Sequence, residues 1–169
     1  MKYYAAIDPG KNGYISAFDD EGGYYSSSIP LIGKIIDTHQ LNEFLVKWKD
    51  AHFVIEDVHS IFGVSSKATF SFGFVCGIIE GLLVANNISF TRVQPKVWQK
   101  ECWQGVPLQQ KPSSTGKTMV TDTKAMSLIA AKRLFPEIDF RDNPRCKNPH
   151  DGKVDATLIA EYCRRKFSK

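Results

Sequence analysis

Two of the apolar runs in this chain end on an acidic residue, and the runs themselves set out a fold. Residues 3–8 (Tyr3-Tyr4-Ala5-Ala6-Ile7-Asp8) are apolar on both faces before a Pro-Gly break, which predicts a central strand. Tyr14-Ile15-Ser16-Ala17-Phe18 alternates as a second strand. Asp19-Asp20-Glu21-Gly22-Gly23 is a hairpin turn, and Tyr24 to Ile29 reads as a third, antiparallel strand. Asp37-Thr38 can cap a helix running to about Lys49, with Leu41, Phe44, Leu45 and Trp48 on one face. His52 to Asp57 is a short, continuously apolar strand suited to the middle of a sheet.

Downstream, a helix from about Ser66 to Asn86 is apolar almost all round between Phe70 and Ala85, which predicts burial on two sides. Ile88 to Val93 is a fifth strand, followed by a short helix over 95–101 and a polar loop over 103–117, expected to be exposed and mobile. Asp122 to Phe135 is an amphipathic helix, 140–149 a basic, Pro-containing loop, and 151–166 the last helix. The order β-β-β-α-β-α-β-α-α-α implies an α/β fold with a mixed sheet and helices on both faces.

Composition changes this picture little. At 169 residues the chain is expected to form one domain spanning 1–169, large enough to bury a core. Its 43% hydrophobic and 24% charged residues are ordinary for a soluble globular protein. A net charge of +4, with most Lys and Arg after Thr91, is a weak pointer to a polyanionic partner. Met1-Lys2-Tyr3 runs directly into a strand, so no secretory signal is expected. No apolar stretch is read as reaching the roughly 20 residues of a bilayer span, and no membrane partner is expected. Cys76, Cys102, Cys146 and Cys163 contain no CxxC pair, which suggests reduced thiols in a cytoplasmic protein. Cys146 and His150 have a loose metal-like spacing that no second pair completes into a zinc site.

The candidate chemistry lies in four carboxylates. Asp8 and Glu56 each close an apolar strand, where a charge is costly unless a cation meets it. Asp8-Pro9-Gly10 has a bland reading as a tight turn, but Glu56 has no local capping role. Asp57 must point to the opposite face from Glu56, because side chains alternate along a strand. Asp151 and Asp155 are one helical turn apart, and both can project on one side of a helix start. Asp151 also reads as an N-cap before Gly152, whereas Asp155 is followed by Ala156, Leu158 and Ile159, an apolar face that would aim it inward. Converging carboxylates repel, and a hard divalent ion is the usual remedy. Two such ions roughly 4 Å apart can activate a water and stabilise a leaving oxygen in phosphodiester hydrolysis. No Ser-His-Asp set, Walker loop or GxGxxG motif competes.

Ile7-Asp8-Pro9-Gly10, Val54-Ile55-Glu56-Asp57-Val58-His59 and Val154-Asp155-Ala156, in this order and spacing, resemble the RuvC family of Holliday junction resolvases. The family belongs to the ribonuclease H-like, retroviral-integrase superfamily, and the resemblance extends over nearly the whole chain. It implies a five-stranded mixed sheet, a three-stranded antiparallel meander plus two parallel strands. It also implies a Mg2+-dependent endonuclease, with Mn2+ as a substitute, that nicks four-way DNA junctions as a homodimer. By position, Asp8, Glu56 and Asp155 match three of the family's four metal ligands. The fourth family position falls on Gly152, so Asp151, one residue earlier, or His150 is the candidate. Lys124 resembles a lysine that assists at the scissile phosphate, and Lys96 and Lys100 are similar candidates. His59 lies near a junction-contacting aromatic position; Phe62 either stacks on a base or belongs to the core. Gln109, Gln110, Lys111 and Lys117 in the 103–117 loop are candidates to reach DNA backbone, the alternative being a loop that is only disordered. That loop and the short chain look more like bacteriophage-type members, which would place the protein in the cytoplasm of a bacterial host. The apolar helix over 70–85 matches the family's dimer interface. The alternative reading is a nuclease-like fold that binds branched DNA without cutting it; an actin-like kinase shares the strand core but finds no nucleotide loop here.

Overall fold

A computed structural model describes residues 2–10, 12–57 and 65–168. The core is a five-stranded sheet in the order β3-β2-β1-β6-β7. Strand β1 (Tyr3–Asp8) lies at its centre, antiparallel to β2 (Tyr14–Asp19) and parallel to β6 (His52–Glu56). Strand β3 (Tyr24–Ser28) continues the antiparallel meander, and β7 (Phe90–Val93) runs parallel to β6. The expected mixed sheet is borne out. Strands β4 (Leu31–Ile32) and β5 (Ile35–Ile36) add a small separate hairpin that the apolar pattern did not reveal.

The alternation of β1 divides the interior. Ala5 and Ile7 face helices α1 (Thr38–Lys47) and α2 (Ser66–Ala85), in a core with Leu41, Leu45, Val75 and Ile79. Tyr4 and Ala6 face α3 (Pro95–Cys102), α4 (Thr123–Leu134) and α5 (Asp151–Phe167), in a core with Trp98, Ala130, Leu158 and Ile159. Helix α1 begins where Asp37 accepts from Gln40 N at 3.0 Å, a cap worth about 1 kcal/mol. Helix α5 packs against β1, β2 and β6. Its Ala156, Leu158, Ile159 and Ala160 are wholly buried, which fixes its start at one end of the sheet.

Three expectations need correction. Helix α2 is not covered on two sides: Val75, Ile79 and Leu83 are buried, while Phe70 (77% exposed), Phe74 (58%) and Val84 (65%) face outward. An all-round apolar composition cannot distinguish a second buried face from an uncovered one. The same helix, 20 residues long with mean hydropathy 1.8, is also apolar and long enough to cross a membrane, contrary to the sequence reading. Its Val75-Ile79-Leu83 line is packed in the core beside α1, as in a helix docked on a sheet. Third, the 103–117 loop opens into a hairpin of β8 (Gln110–Pro112) and β9 (Met119–Thr121). Both of its strands are largely solvent-facing, so no apolar alternation marks them.

Candidate active site

The parity of the two strands places Asp8 and Glu56 together. Val54 shares its face of the sheet with Ala6, so Glu56 and Asp8, each two residues on, project toward α5. Ile55 lies in the opposite core, and Asp57 follows it to that side. Trp98, fully buried in α3, donates its indole N–H to Glu56 Oε1 at 2.9 Å. The turn after β1 closes with Gly13 N donating to Gly10 O at 3.1 Å, which leads the chain back into β2 beside Asp8.

Helix α5 brings the other acids. Its N-cap is His150, not Asp151: Nδ1 accepts from Lys153 N at 3.4 Å, and the ring packs 4.7 Å from that of Tyr14. His150 N also donates to Phe140 O at 2.8 Å, which ties the preceding loop to the helix start. Asp151 is then the first helical residue, 54% exposed, and pairs with Lys124. Asp155, one turn later, turns inward as its apolar neighbours require.

These acids lie close enough to raise one another's pKa. Burial pushes the Asp8 carboxyl well above its ordinary value, and Asp155, Glu56 and Asp151 push it further. Burial also raises Asp155 to about 7; a hydrogen bond from Ser127 opposes this, while Glu56 and Asp151 reinforce it. Glu56 is raised by burial, with the Trp98 bond acting in the opposite sense. Lys124 is raised by its bond to Asp151. The Oδ1 atom of Asp155 is shielded from solvent and has no hydrogen-bond partner, a costly arrangement for a carboxylate.

Gly152 explains the displaced fourth acid. A Cβ at this position would lie 2.7 Å from the Asn12 carbonyl and 3.0 Å from Asp8 Oδ2. Backbone occupies the space beside Asp8 that a side chain at 152 would need. Asp151 therefore stands outside this contact, at the rim of a cleft of about 230 Å³ lined by Lys124, Ser127, Asp151 and Asp155. A neighbouring cleft is lined by Asp8, Asn12, His150 and Gly152.

An all-oxygen donor set with one orphaned buried oxygen suits a hard divalent cation. Among the described residues, however, no group of three or more His, Cys, Asp or Glu is gathered closely enough to form a ready-made cage. Magnesium tolerates that, because it takes one or two carboxylates and keeps water or phosphate oxygens as its other ligands.

The other candidates are dispersed. Lys111 Nζ is held 3.1 Å from Asp122 Oδ1, the cap of α4, and Lys117 is exposed in the β8–β9 hairpin. Lys96 and Lys100 are exposed on α3 and line neither cleft. His59 and Phe62 lie outside the described residues. Trp98 and Ser127, which hold Glu56 and Asp155, carried no sequence signal, since each reads as an ordinary residue of an amphipathic helix.

No protein-family model matches the chain, and none of the curated proteins does. Solved structures do. The Thermus thermophilus RuvC structure is 12% identical, with a TM-score of 0.55 over 98% of this chain and 96% of its own. T. thermophilus RuvC in complex with Holliday junction substrate gives 8% identity and a TM-score of 0.56, covering 97% and 95%. The yeast mitochondrial Holliday junction resolvase Ydc2 is 14% identical, with a TM-score of 0.55, covering 95% and 77%. The chain thus has the RuvC-like, ribonuclease H-like fold that its motifs resemble.

Proposed function

We propose that this chain is a Mg2+-dependent, structure-selective endonuclease that nicks four-way junctions and other branched DNA. The observation that carries the reading is Asp155. Its shielded, unpartnered Oδ1 stands among Asp8, Glu56 and Asp151 at one end of a RuvC-like sheet. The structural likeness to a RuvC bound to Holliday junction substrate supports the choice of DNA.

In this reading Asp8, Glu56 and Asp155 hold the ion, with Asp151 or His150 as a further donor. Bound divalent cations, Mg2+ or Mn2+, would supply a pair of charges that activates water and steadies the leaving oxygen. The protein's own groups do the rest. Trp98 fixes the Glu56 carboxylate through Oε1, and Ser127 orients Asp155. Lys124 lines the Asp155 cleft and, now paired with Asp151, offers its ammonium to an entering phosphate oxygen.

Paired nicks need two sites, and the uncovered face of α2 supplies a surface for a second copy. Gly73, Gly77 and Gly81 stand on it with open space where a Cβ would be, beside Phe70 and Phe74. Such a stripe lets two helix backbones approach closely.

One observation favours the non-cleaving alternative: with glycine at 152 and no ready-made cage among the described residues, the chain could bind junctions only. Incubating a labelled four-way junction with and without Mg2+ separates the two. Symmetric nicks that need Mg2+ support the endonuclease; binding without cleavage at any Mg2+ concentration overturns it.

A further inference from the structure

The loop over 141–149 is built rather than slack. An antiparallel bridge between Arg141 and Pro149 closes its neck. Cys146 N donates to Asn143 O at 3.0 Å, and Arg145 N donates to Asn143 Oδ1 at 3.0 Å, folding the tip on itself. Lys153 Nζ donates to Arg141 O at 3.1 Å and ties the neck to α5. Tyr14, a neighbour of Asp8 in the β1–β2 register, donates its hydroxyl to Asp142 and ties the loop to the sheet.

This frame has its own division of charge. The Arg141 guanidinium is taken up by Asp139 at 2.8 Å, and Asp142 accepts from the Tyr14 hydroxyl. Arg145 and Lys147 are exposed and have no ionic partner among the described residues. The loop's C-terminal end, Asn148 and Pro149, lines the cleft that holds Asp155 and Lys124. Two cations without an ionic partner among the described residues therefore stand on a fixed support whose C-terminal end lines the candidate active site.

We propose that loop 141–149 is a phosphate clamp: Arg145 and Lys147 grip the DNA backbone next to the scissile phosphate. The inference rests on the endonuclease reading and adds the residues that seat the strand. The charges oppose those of the DNA backbone, and the loop's internal bonds mean that little order must be gained on binding.

The test is the salt dependence of junction binding, measured in EDTA to keep the substrate intact. R145Q/K147Q is compared with wild type, with R145K/K147R, and with K47Q/K49Q, which removes equal charge beside the N-terminal end of β6, away from Glu56. Each lost phosphate contact lowers the slope of log affinity against log salt by about 0.9. R145Q/K147Q should therefore lose roughly 1.8 from the slope, while R145K/K147R and K47Q/K49Q keep the wild-type value. A slope equal to wild type, or a loss matched by K47Q/K49Q, overturns the clamp alone. A wild-type protein that neither binds nor cuts a junction overturns the endonuclease reading and the clamp together.

Discussion

Gly152 and Asp8 are in contact across the start of α5: a Cβ at 152 would fall 3.0 Å from Asp8 Oδ2. Helix α5 can approach β1 this closely only because residue 152 has no side chain. Substituting Asp there should therefore block the site rather than complete it. Gly152→Ala should destabilise the fold by about 1–3 kcal/mol through overpacking, and Gly152→Asp by more. Thermal unfolding of both variants checks this; an unchanged melting temperature for Gly152→Ala would refute the contact.

Asp155 should trade stability for function. Its Oδ1 is shielded and unpartnered, so the charge is a burden to the metal-free fold. Asp155→Asn should raise the melting temperature of the metal-free protein near pH 8 and abolish cleavage, with junction binding retained. A variant that melts lower than wild type would show that the carboxylate is well satisfied.

The same group gives a pH dependence of definite sign. Its folded value of about 7 lies above the ordinary 3.8. Between these values the folded chain keeps a proton that the unfolded chain has released, so metal-free stability falls as pH rises, levelling off above about 7. Mg2+ needs the ionised form, so its stabilising effect should grow over the same range. Calorimetry at about pH 5 and about pH 8, with and without Mg2+, measures both trends. An Mg2+ effect that is larger at the lower pH would contradict the assignment.

Lys124 and Asp151 form an exposed pair, of the kind that contributes about 0–1 kcal/mol to stability. Lys124→Ala should leave the melting temperature nearly unchanged yet slow cleavage roughly 10²-fold, by removing a cation from the phosphate. Equal losses of stability and rate would make the lysine structural.

Gly77 lies midway along the uncovered face of α2, with open space around it. Gly77→Leu should strengthen the helix by about 0.8–1 kcal/mol while weakening self-association. Sedimentation equilibrium alongside thermal unfolding reads both; unchanged association would remove α2 from the interface.

Much of this site could be read from the chain because strand parity is a strict rule. Alternation meant that only one of Glu56 and Asp57 could join Asp8, position at the strand end favoured Glu56, and the apolar residues after Asp155 aimed it inward. What stayed hidden depends on contacts distant in sequence. His150, which caps α5, is bonded to Phe140 through its backbone, and Gly152 is required by Asn12 and Asp8. The β8–β9 hairpin has no buried face to leave a pattern, and α2 looks the same in sequence whether its outer face is covered or bare.

The most direct measurement is cleavage of a labelled four-way junction by wild type, Asp8→Asn and Asp155→Asn across a Mg2+ titration, with binding followed in parallel. The account predicts Mg2+-dependent paired nicks by wild type, and intact binding without nicks by both variants. Cleavage by Asp155→Asn at the wild-type rate, or wild-type cleavage indifferent to Mg2+, would contradict it.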